Sequence, residues 1–185
     1  AVIRIFEKNG LTVFDVETTP WHGGSLRVFA QRSDTGRHAV TPSVVATLAA
    51  EREAGVLTDD YYTAFQARAE DVRDGFLSFL IECRRAGLKV AAYGAAAKGN
   101  TLLNFAGVKP DLLAFVVDKN PAKQGTLLPG SRIPVVTEDM LRTEKPERVV
   151  ILPWNLQDEI RRQLSYISDW GGKFVTAVPT LTLHR

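Results

Sequence analysis

The sequence contains very little cysteine and no arrangement of residues that suggests a metal site. Cys83 is the only cysteine among 185 residues, so no disulfide can form within the chain. A Cys-x-x-Cys pair and a histidine cluster with metal-ligand spacing are both missing, and we therefore predict no metal site in this chain. A lone cysteine in a helical pattern is typical of core packing, and it agrees with a reducing, cytoplasmic location.

The chain also lacks a bias toward charge of one sign. Its 23 Lys and Arg residues and 21 Asp and Glu residues give a net charge of +2 and are spread along the sequence. Without a basic stripe or a polybasic cluster, we expect neither nucleic acid nor a membrane as partner. There is no secretory signal pattern and no apolar run long enough to span a bilayer. Small anionic ligands are compatible with this composition.

A glycine-bounded turn between a short apolar strand and a helix is the most informative feature. The segment KVAAYGAAAKGNT reads as a strand ending at Tyr93, a turn beginning at Gly94 and a helix beginning near Lys98. Such a turn directs the first N–H groups of the helix over the end of the strand, where they can bind an anion. We predict a phosphate or pyrophosphate ligand with Lys98 as its main contact. The alternative is a structural turn with a solvated lysine.

The glycine spacing of this turn matches neither common nucleotide motif. It keeps the first and last glycines of G-x-G-x-x-G, Gly94 and Gly99, but lacks the middle one. Lys98 precedes Gly99, which excludes a Walker loop. The pattern therefore argues against the close pyrophosphate approach of dinucleotide enzymes.

A second strand pattern, residues 112–117, ends on Asp118. In dinucleotide folds a carboxylate about twenty residues after the glycine turn binds ribose, so Asp118 is a candidate sugar-hydroxyl acceptor. Asp118 also opens an Asp-Lys-Asn-Pro turn, and both roles stay open. Lys119 and Lys123 in the loop that ends at Gly130 could reach a second phosphate or simply be solvated.

The remaining patterns predict a mixed architecture. Residues 1–9 read as a short helix, residues 11–18 and 25–32 as a β-hairpin, and residues 43–54 and 59–86 as helices, the latter with core positions from Tyr62 and Phe65 to Cys83. The chain starts at Ala1 rather than methionine and the hairpin is marginal alone, so we expect these strands to join a sheet whose remainder is missing. His38 and His184 have no motif context and are expected at the surface.

From residue 88 onward, strands and helices alternate. This alternation predicts a Rossmann-like, doubly wound, mainly parallel sheet flanked by helices, whose ligands bind outside the carboxyl ends of the strands. Trp154 and Asn155 follow a later strand, where Trp154 could stack on a base or sugar. Asn155 could hydrogen-bond the ligand or cap the helix predicted over residues 155–168. We expect one domain over residues 1–185, made of a helix and hairpin segment (1–40), a helical segment (41–87) and a Rossmann-like, ligand-binding core (88–185).

Four segments in order, WHGGSLRVF, YGAAAKGNTLLNF, VVDKNPAKQGTLLPGSRIPV and ILPWNLQDEI, closely resemble the C-terminal domain of SAM-dependent sugar C-methyltransferases. The resemblance covers nearly the whole chain. It implies a Rossmann-type module that helps to hold a nucleotide-linked keto sugar, preceded in the full enzyme by a zinc-binding domain and a SAM-binding methyltransferase domain. The family's Tyr-x-Glu-His base segment, glycine-rich SAM loop and zinc cysteines are not in this chain, so the resemblance implies a fragment that is not catalytic alone.

The leading hypothesis is therefore a substrate-binding domain, with the nucleotide sugar and the missing methyltransferase domain as partners. His22 could touch the sugar, support the missing base or stabilise its glycine turn. An NAD-dependent oxidoreductase and a docking module without a small ligand are the alternatives. The candidate substrate-binding residues are His22, Gly23, Gly24, Ser25, Tyr93, Gly94, Ala95, Lys98, Gly99, Asn100, Thr101, Asp118, Lys119, Asn120, Lys123, Gly130, Trp154 and Asn155.

Overall fold

The computed structural model describes residues 1–20 and 23–184, which form two compact units. The first unit comprises Ala1–Gln66 and the second Ala67–Arg185. The boundary lies within the 41–87 segment for which the sequence predicts helices.

The first unit is a β-hairpin accompanied by short helices. Its two strands pair antiparallel from Leu11 opposite Arg32 to Thr19 opposite Ser25, with a bulge between Val13 and Asp15. The predicted short helix and hairpin are confirmed. The elements are α1 (Val2–Lys8), β1 (Leu11–Thr19), β2 (Ser25–Arg32), α2 (Pro42–Glu53) and α3 (Asp59–Thr63).

A carboxylate joins the hairpin to the start of α2. The Asp15 Oδ1 atom accepts hydrogen bonds from the hydroxyls of Thr41 and Ser43, each at 2.6 Å. These hydroxyls, with Ser43 contributing most, hold the pKa of Asp15 below its usual value. The ionised carboxylate thereby links two elements that share little apolar surface, since Val13 and Val44 are the buried hydrophobic residues described in this unit.

The single long helix predicted over residues 59–86 is wrong at its start. The chain forms α3, interrupts at Ala64 and continues as α4 (Phe65–Arg85). The Thr63 hydroxyl donates to the Asp59 carbonyl, a back-bond that commonly bends helices. Tyr62 and Phe65, predicted as core positions, are 55% and 64% exposed, whereas Phe76, Leu80 and Cys83 of the same stripe are buried.

The second unit contains a six-stranded sheet with the order β5-β4-β3-β6-β7-β8. All neighbours pair parallel except β8, which is antiparallel to β7 and was not predicted. The strand predicted over residues 112–117 is reduced to its last two residues, and the helix predicted over 155–168 is divided by 3-10 turns. The elements are β3 (Val90–Tyr93), α5 (Ala97–Phe105), β4 (Val116–Val117), β5 (Val135–Val136), α6 (Asp139–Glu144), β6 (Arg148–Ile151), α7 (Gln157–Gln163), β7 (Lys173–Thr176) and β8 (Thr182–His184).

Each face of this sheet carries its own apolar core. On one face, Phe76 and Leu80 of α4 and Leu103 of α5 are fully buried against alternate strand residues. On the other face, Leu141 of α6 and Ile160 of α7 pack against the residues in between. Because alternate strand residues point to opposite faces, a sheet buried on both sides needs continuous apolar runs such as the one in β3. The predicted Rossmann-like, doubly wound sheet is confirmed.

Within the described ranges, no helix combines the length and the apolar character that a membrane crossing requires.

Candidate functional site

The strand order creates a switch point between the carboxyl ends of β3 and β6, and we call the region outside these two strand ends the crevice. From β3 the chain continues to β4 and β5 on one side of the sheet, and β6 leads to β7 and β8 on the other. Open α/β sheets bind ligands at such a switch point. Gly94 follows β3 here, and Pro153 and Trp154 follow β6. The sequence-predicted turn therefore lies where the fold favours a ligand.

Two glycines allow the segments that follow β3 and β6 to approach each other closely at this crevice. Gly94 has a φ of 89°, and a Cβ atom on it would lie 2.5 Å from Pro153 Cδ. Gly99, in the first turn of α5, faces Leu152, whose Cβ would lie 2.5 Å from an added Cβ. Gly94 is thus required by backbone conformation and by space, and Gly99 by space alone. Helix α5 consequently begins directly beside the end of β6.

Lys98 lies between the two strand ends. Its ammonium donates a hydrogen bond to Asn155 Oδ1 and lies 4.5 Å from the centroid of the Trp154 ring. Partial burial lowers the pKa of Lys98, because it disfavours the charged ammonium form. The structure therefore brings Lys98 together with Trp154 and Asn155, although Lys98 is distant in sequence from these two neighbours.

The prediction that Asn155 caps the following helix is wrong. The residue before α7 is Leu156, and α7 has no side-chain cap. Residues 154–156 form a 3-10 turn, which moves the helix start beyond the reach of Asn155. The Asn155 side chain instead accepts from Lys98.

The start of α5 offers uncapped backbone donors. Ala96 precedes the helix and provides no side-chain cap. The first amides of any helix have no acceptor within it, and here they belong to Ala97, Lys98 and Gly99. The Thr101 hydroxyl bonds back to the Ala97 carbonyl at 3.1 Å and so faces the helix backbone. Amide donors and the Lys98 ammonium thus lie in the same helix turn, a favourable setting for an anion.

Asp118, directly after β4, organises the loops around the crevice. Its Oδ2 accepts from the Ala95 N–H at 2.8 Å and from the Lys123 ammonium at 3.1 Å. Its Oδ1 accepts from the Asn120 N–H at 2.8 Å, which is the predicted Asp-initiated turn. The amide of Ala95, a predicted ligand contact, is therefore engaged within the protein. Lys123 also donates to the Ala95 carbonyl at 2.9 Å, so its ammonium joins the two loops.

Hydrogen bonds within the loop over residues 118–130, and between this loop and α5, hold the loop in place. Asn120 Oδ1 accepts from the Ala122 N–H, and Gln124 Nε2 donates to the Asp118 carbonyl. At the far end, Gly130 has a φ of 79° and contacts the Asn104 side chain, which donates to the Pro129 carbonyl at 2.9 Å.

The loop lysine Lys119 is exposed and makes no polar contact with any residue that the structure describes.

Sequence reasoning missed Asn104 and Gln124, because their partners are set by the tertiary fold and no motif marks them.

Tyr93, also a predicted ligand contact, belongs to a polar network on the α7 face of the sheet. Its hydroxyl accepts from Gln163 Nε2 at 2.9 Å, and that amide also contacts Glu138 Oε2 at 3.3 Å. The Tyr166 hydroxyl donates to Glu138 Oε1 at 3.0 Å. Burial, and for Tyr166 also the Glu138 carboxylate, raises the pKa of both phenols, so they stay neutral at physiological pH.

Asn100, near the start of α5, has an unsatisfied polar atom. Its Oδ1 is buried and has no hydrogen-bond partner among the described residues. Leaving a buried acceptor unpaired costs about 1–3 kcal/mol. A binding site can carry such a cost when a ligand supplies the missing donor.

The predicted contacts in the hairpin turn belong to the first unit. Gly23 and Gly24 have φ values of 88° and 117°, and Ser25 begins β2. His22 lies outside the described residues. The residues that the structure does describe contain no group of three or more His, Cys, Asp or Glu side chains that could hold a metal ion.

The strand order, with its switch point between β3 and β6, defines the second unit as a Rossmann-like domain. A family model described as "C-methyltransferase C-terminal domain" matches residues 20–179. The chain belongs to this family. C-methyltransferase NovU from Streptomyces niveus is 36% identical over 179 residues, which are 97% of this chain. The chain spans 42% of the length of that relative.

Proposed function

We propose that this chain is the substrate-binding domain of a cytoplasmic, SAM-dependent C-methyltransferase that acts on a nucleotide-linked keto sugar. Family membership and the relative named as a C-methyltransferase support the reaction class. The single observation that carries the binding role is the position of Lys98 and the uncapped start of α5 at the strand-order switch point.

The diphosphate of the substrate binds at the start of α5. An ammonium group has three N–H donors, and Lys98 uses one of them on Asn155. The other two N–H groups donate charge-assisted hydrogen bonds to the diphosphate, which also accepts from the amides of Ala97 and Gly99. The Trp154 ring beside the ammonium offers an apolar surface for the base or the sugar. The buried Asn100 Oδ1 accepts from a donor on the substrate.

The loops act mainly by positioning. Because Asp118 already accepts from Ala95, Asn120 and Lys123, its carboxylate holds the two loops in register at the mouth of the crevice. Gly130 lets the far end of the loop lie against Asn104. Lys119 is left to contact a second phosphate group. In the full enzyme, a positioned substrate and excluded water favour deprotonation next to the sugar carbonyl.

We place the SAM and zinc sites of the full protein outside this chain. The glycine turn lacks the middle glycine needed for close approach of a dinucleotide-like cofactor, and Asp118 is engaged by protein donors. The only cysteine, Cys83, lies in the core. SAM supplies the methyl group when it is bound, and the residues of this chain orient the acceptor.

Calorimetric titration of the chain with a thymidine diphosphate sugar, NAD and SAM tests this proposal. We expect the nucleotide sugar to bind and the two cofactors not to bind. Lys98→Ala should weaken binding by about tenfold to a hundredfold, because it removes charge-assisted hydrogen bonds. Lys145→Ala, which removes an exposed lysine after α6, is the control for net charge and should leave affinity unchanged. Equal loss in both variants would refute the role of Lys98.

The same titration addresses two other functions. An NAD-binding domain is favoured by the position of Asp118 directly after β4, and preferential binding of NAD would replace our proposal. A docking module would bind none of the three ligands.

A further inference from the structure

A cavity lies at the opposite end of the parallel strands from the crevice. Its volume is about 460 Å³, and its walls come from α7, the 3-10 turn after it, the start of β7 and the end of β8. Lys173 opens β7, and His184 pairs with the next residue, Phe174. These positions are at the amino end of β7, whereas Lys98 and Trp154 follow the carboxyl ends of β3 and β6. The two sites therefore do not overlap.

Three of the nine residues that line the cavity carry a positive charge. Arg161, Arg162 and Lys173 face a single carboxylate, Asp158, whose side chain is 81% exposed. The Asp158 carboxylate lies 4.0 Å from the Arg161 guanidinium. Among the described residues that line the cavity, three cations thus outnumber one carboxylate, although the chain as a whole is close to neutral.

Two of these cations retain unused donors. Arg162 donates from Nε to the Asp158 carbonyl at 3.1 Å, which orients its guanidinium group. Within the described part of the chain, the two NH2 groups of Arg162 have no partner and the Lys173 ammonium makes no polar contact. A guanidinium whose two NH2 groups are free matches the geometry of a phosphoryl oxygen pair.

His184 was expected at the surface but is half-buried in the wall of the cavity. Its Nε2 hydrogen-bonds the hydroxyl of Thr176 at 2.9 Å, and Thr176 is buried. Burial and the neighbouring Arg161 lower the pKa of His184, while Asp158 opposes this shift. An anion in the cavity would oppose this shift, because a nearby negative charge favours the protonated imidazole.

We infer that this cavity, formed by Arg161, Arg162, Lys173 and His184, is a second binding site for a small phosphorylated anion. Its volume exceeds that of a phosphate ion and suits a phosphate-bearing metabolite. The site does not depend on the function proposed above, because it uses none of the residues at the crevice.

Nuclear magnetic resonance of the histidine rings tests the inference, with pyrophosphate as probe and sodium chloride at equal ionic strength as reference. The chain has three histidines, and His184→Gln assigns the relevant signal. Pyrophosphate should shift the His184 ring signals and raise the pKa of this imidazole. Arg162→Gln combined with Lys173→Gln should weaken the response about a hundredfold, or about tenfold for each lost contact.

Two control variants establish whether the response is specific to this cavity. Arg85→Gln combined with Lys145→Gln removes the same charge from exposed positions and should leave the response intact. Lys98→Ala should also leave it intact, so failure at the crevice and failure here are distinguishable. Unchanged His184 signals at saturating pyrophosphate, or equal weakening in the charge-matched control, would overturn the inference.

Discussion

Replacing Gly94 by alanine should destabilise the second unit more than any other single glycine replacement near the crevice. The φ of 89° alone costs about 1–2 kcal/mol for a residue with a Cβ atom. The new methyl group would also lie 2.5 and 2.8 Å from ring atoms of Pro153, and such overlap costs about 1–3 kcal/mol. Gly94→Ala should therefore lower the free energy of unfolding by about 2–5 kcal/mol.

Two matched variants separate these contributions. Gly87→Ala, after α4, has a φ of 70° with no atom within 4 Å of the added Cβ, so it should cost only about 1–2 kcal/mol. Gly99→Ala has the overlap with Leu152 without the positive φ and gains about 1 kcal/mol of helix propensity, so its net cost should be about 0–2 kcal/mol.

Urea denaturation is the assay, with tryptophan fluorescence recorded in a Trp21→Phe background. The remaining tryptophans, Trp154 and Trp170, then report on the second unit alone. If Gly94→Ala costs no more than Gly87→Ala, the close approach of the glycine turn to Pro153 is wrong, and with it the geometry of the crevice.

Three further predictions concern individual side chains. Asp118→Asn should cost about 1–3 kcal/mol, because the amide cannot accept every bond that the carboxylate accepts; faster hydrogen exchange at the Ala95 amide would show it, and unchanged exchange would contradict it. Asn100→Leu should leave thermal stability unchanged or higher while weakening nucleotide-sugar binding, since it removes an unpaired buried oxygen; a lower melting temperature with intact binding would disprove the assignment. Hydrogen bonds keep the pKa of Asp15 low, so the ionised carboxylate stabilises the fold above the unfolded pKa near 3.8, and this stabilisation is lost as pH falls through the folded pKa. Ser43→Ala should raise the folded pKa of Asp15 in a carboxylate titration, and an unchanged pKa would exclude the hydrogen bond from Ser43.

The fold of the second unit was predictable because its signals are local. The apolar run before Gly94, the glycine at the turn and the alternation of strand and helix patterns each depend on a few adjacent residues. The exceptions also have local causes. In the first unit, the helix predicted as continuous is interrupted at Ala64, directly after the Thr63 back-bond. In the second unit, a 3-10 turn at Trp154 removes the cap predicted for Asn155.

The sequence by itself determined the class of the fold and the position of the glycine turn, because backbone conformation and hydrophobic periodicity are properties of short segments. Only the tertiary structure decided what faces that turn. Lys98 meets Asn155, 57 positions later in the sequence, and the Asp118 carboxylate binds the amide of Ala95, 23 positions away. Strand order creates these contacts, and strand order depends on how all the elements pack together rather than on any one segment.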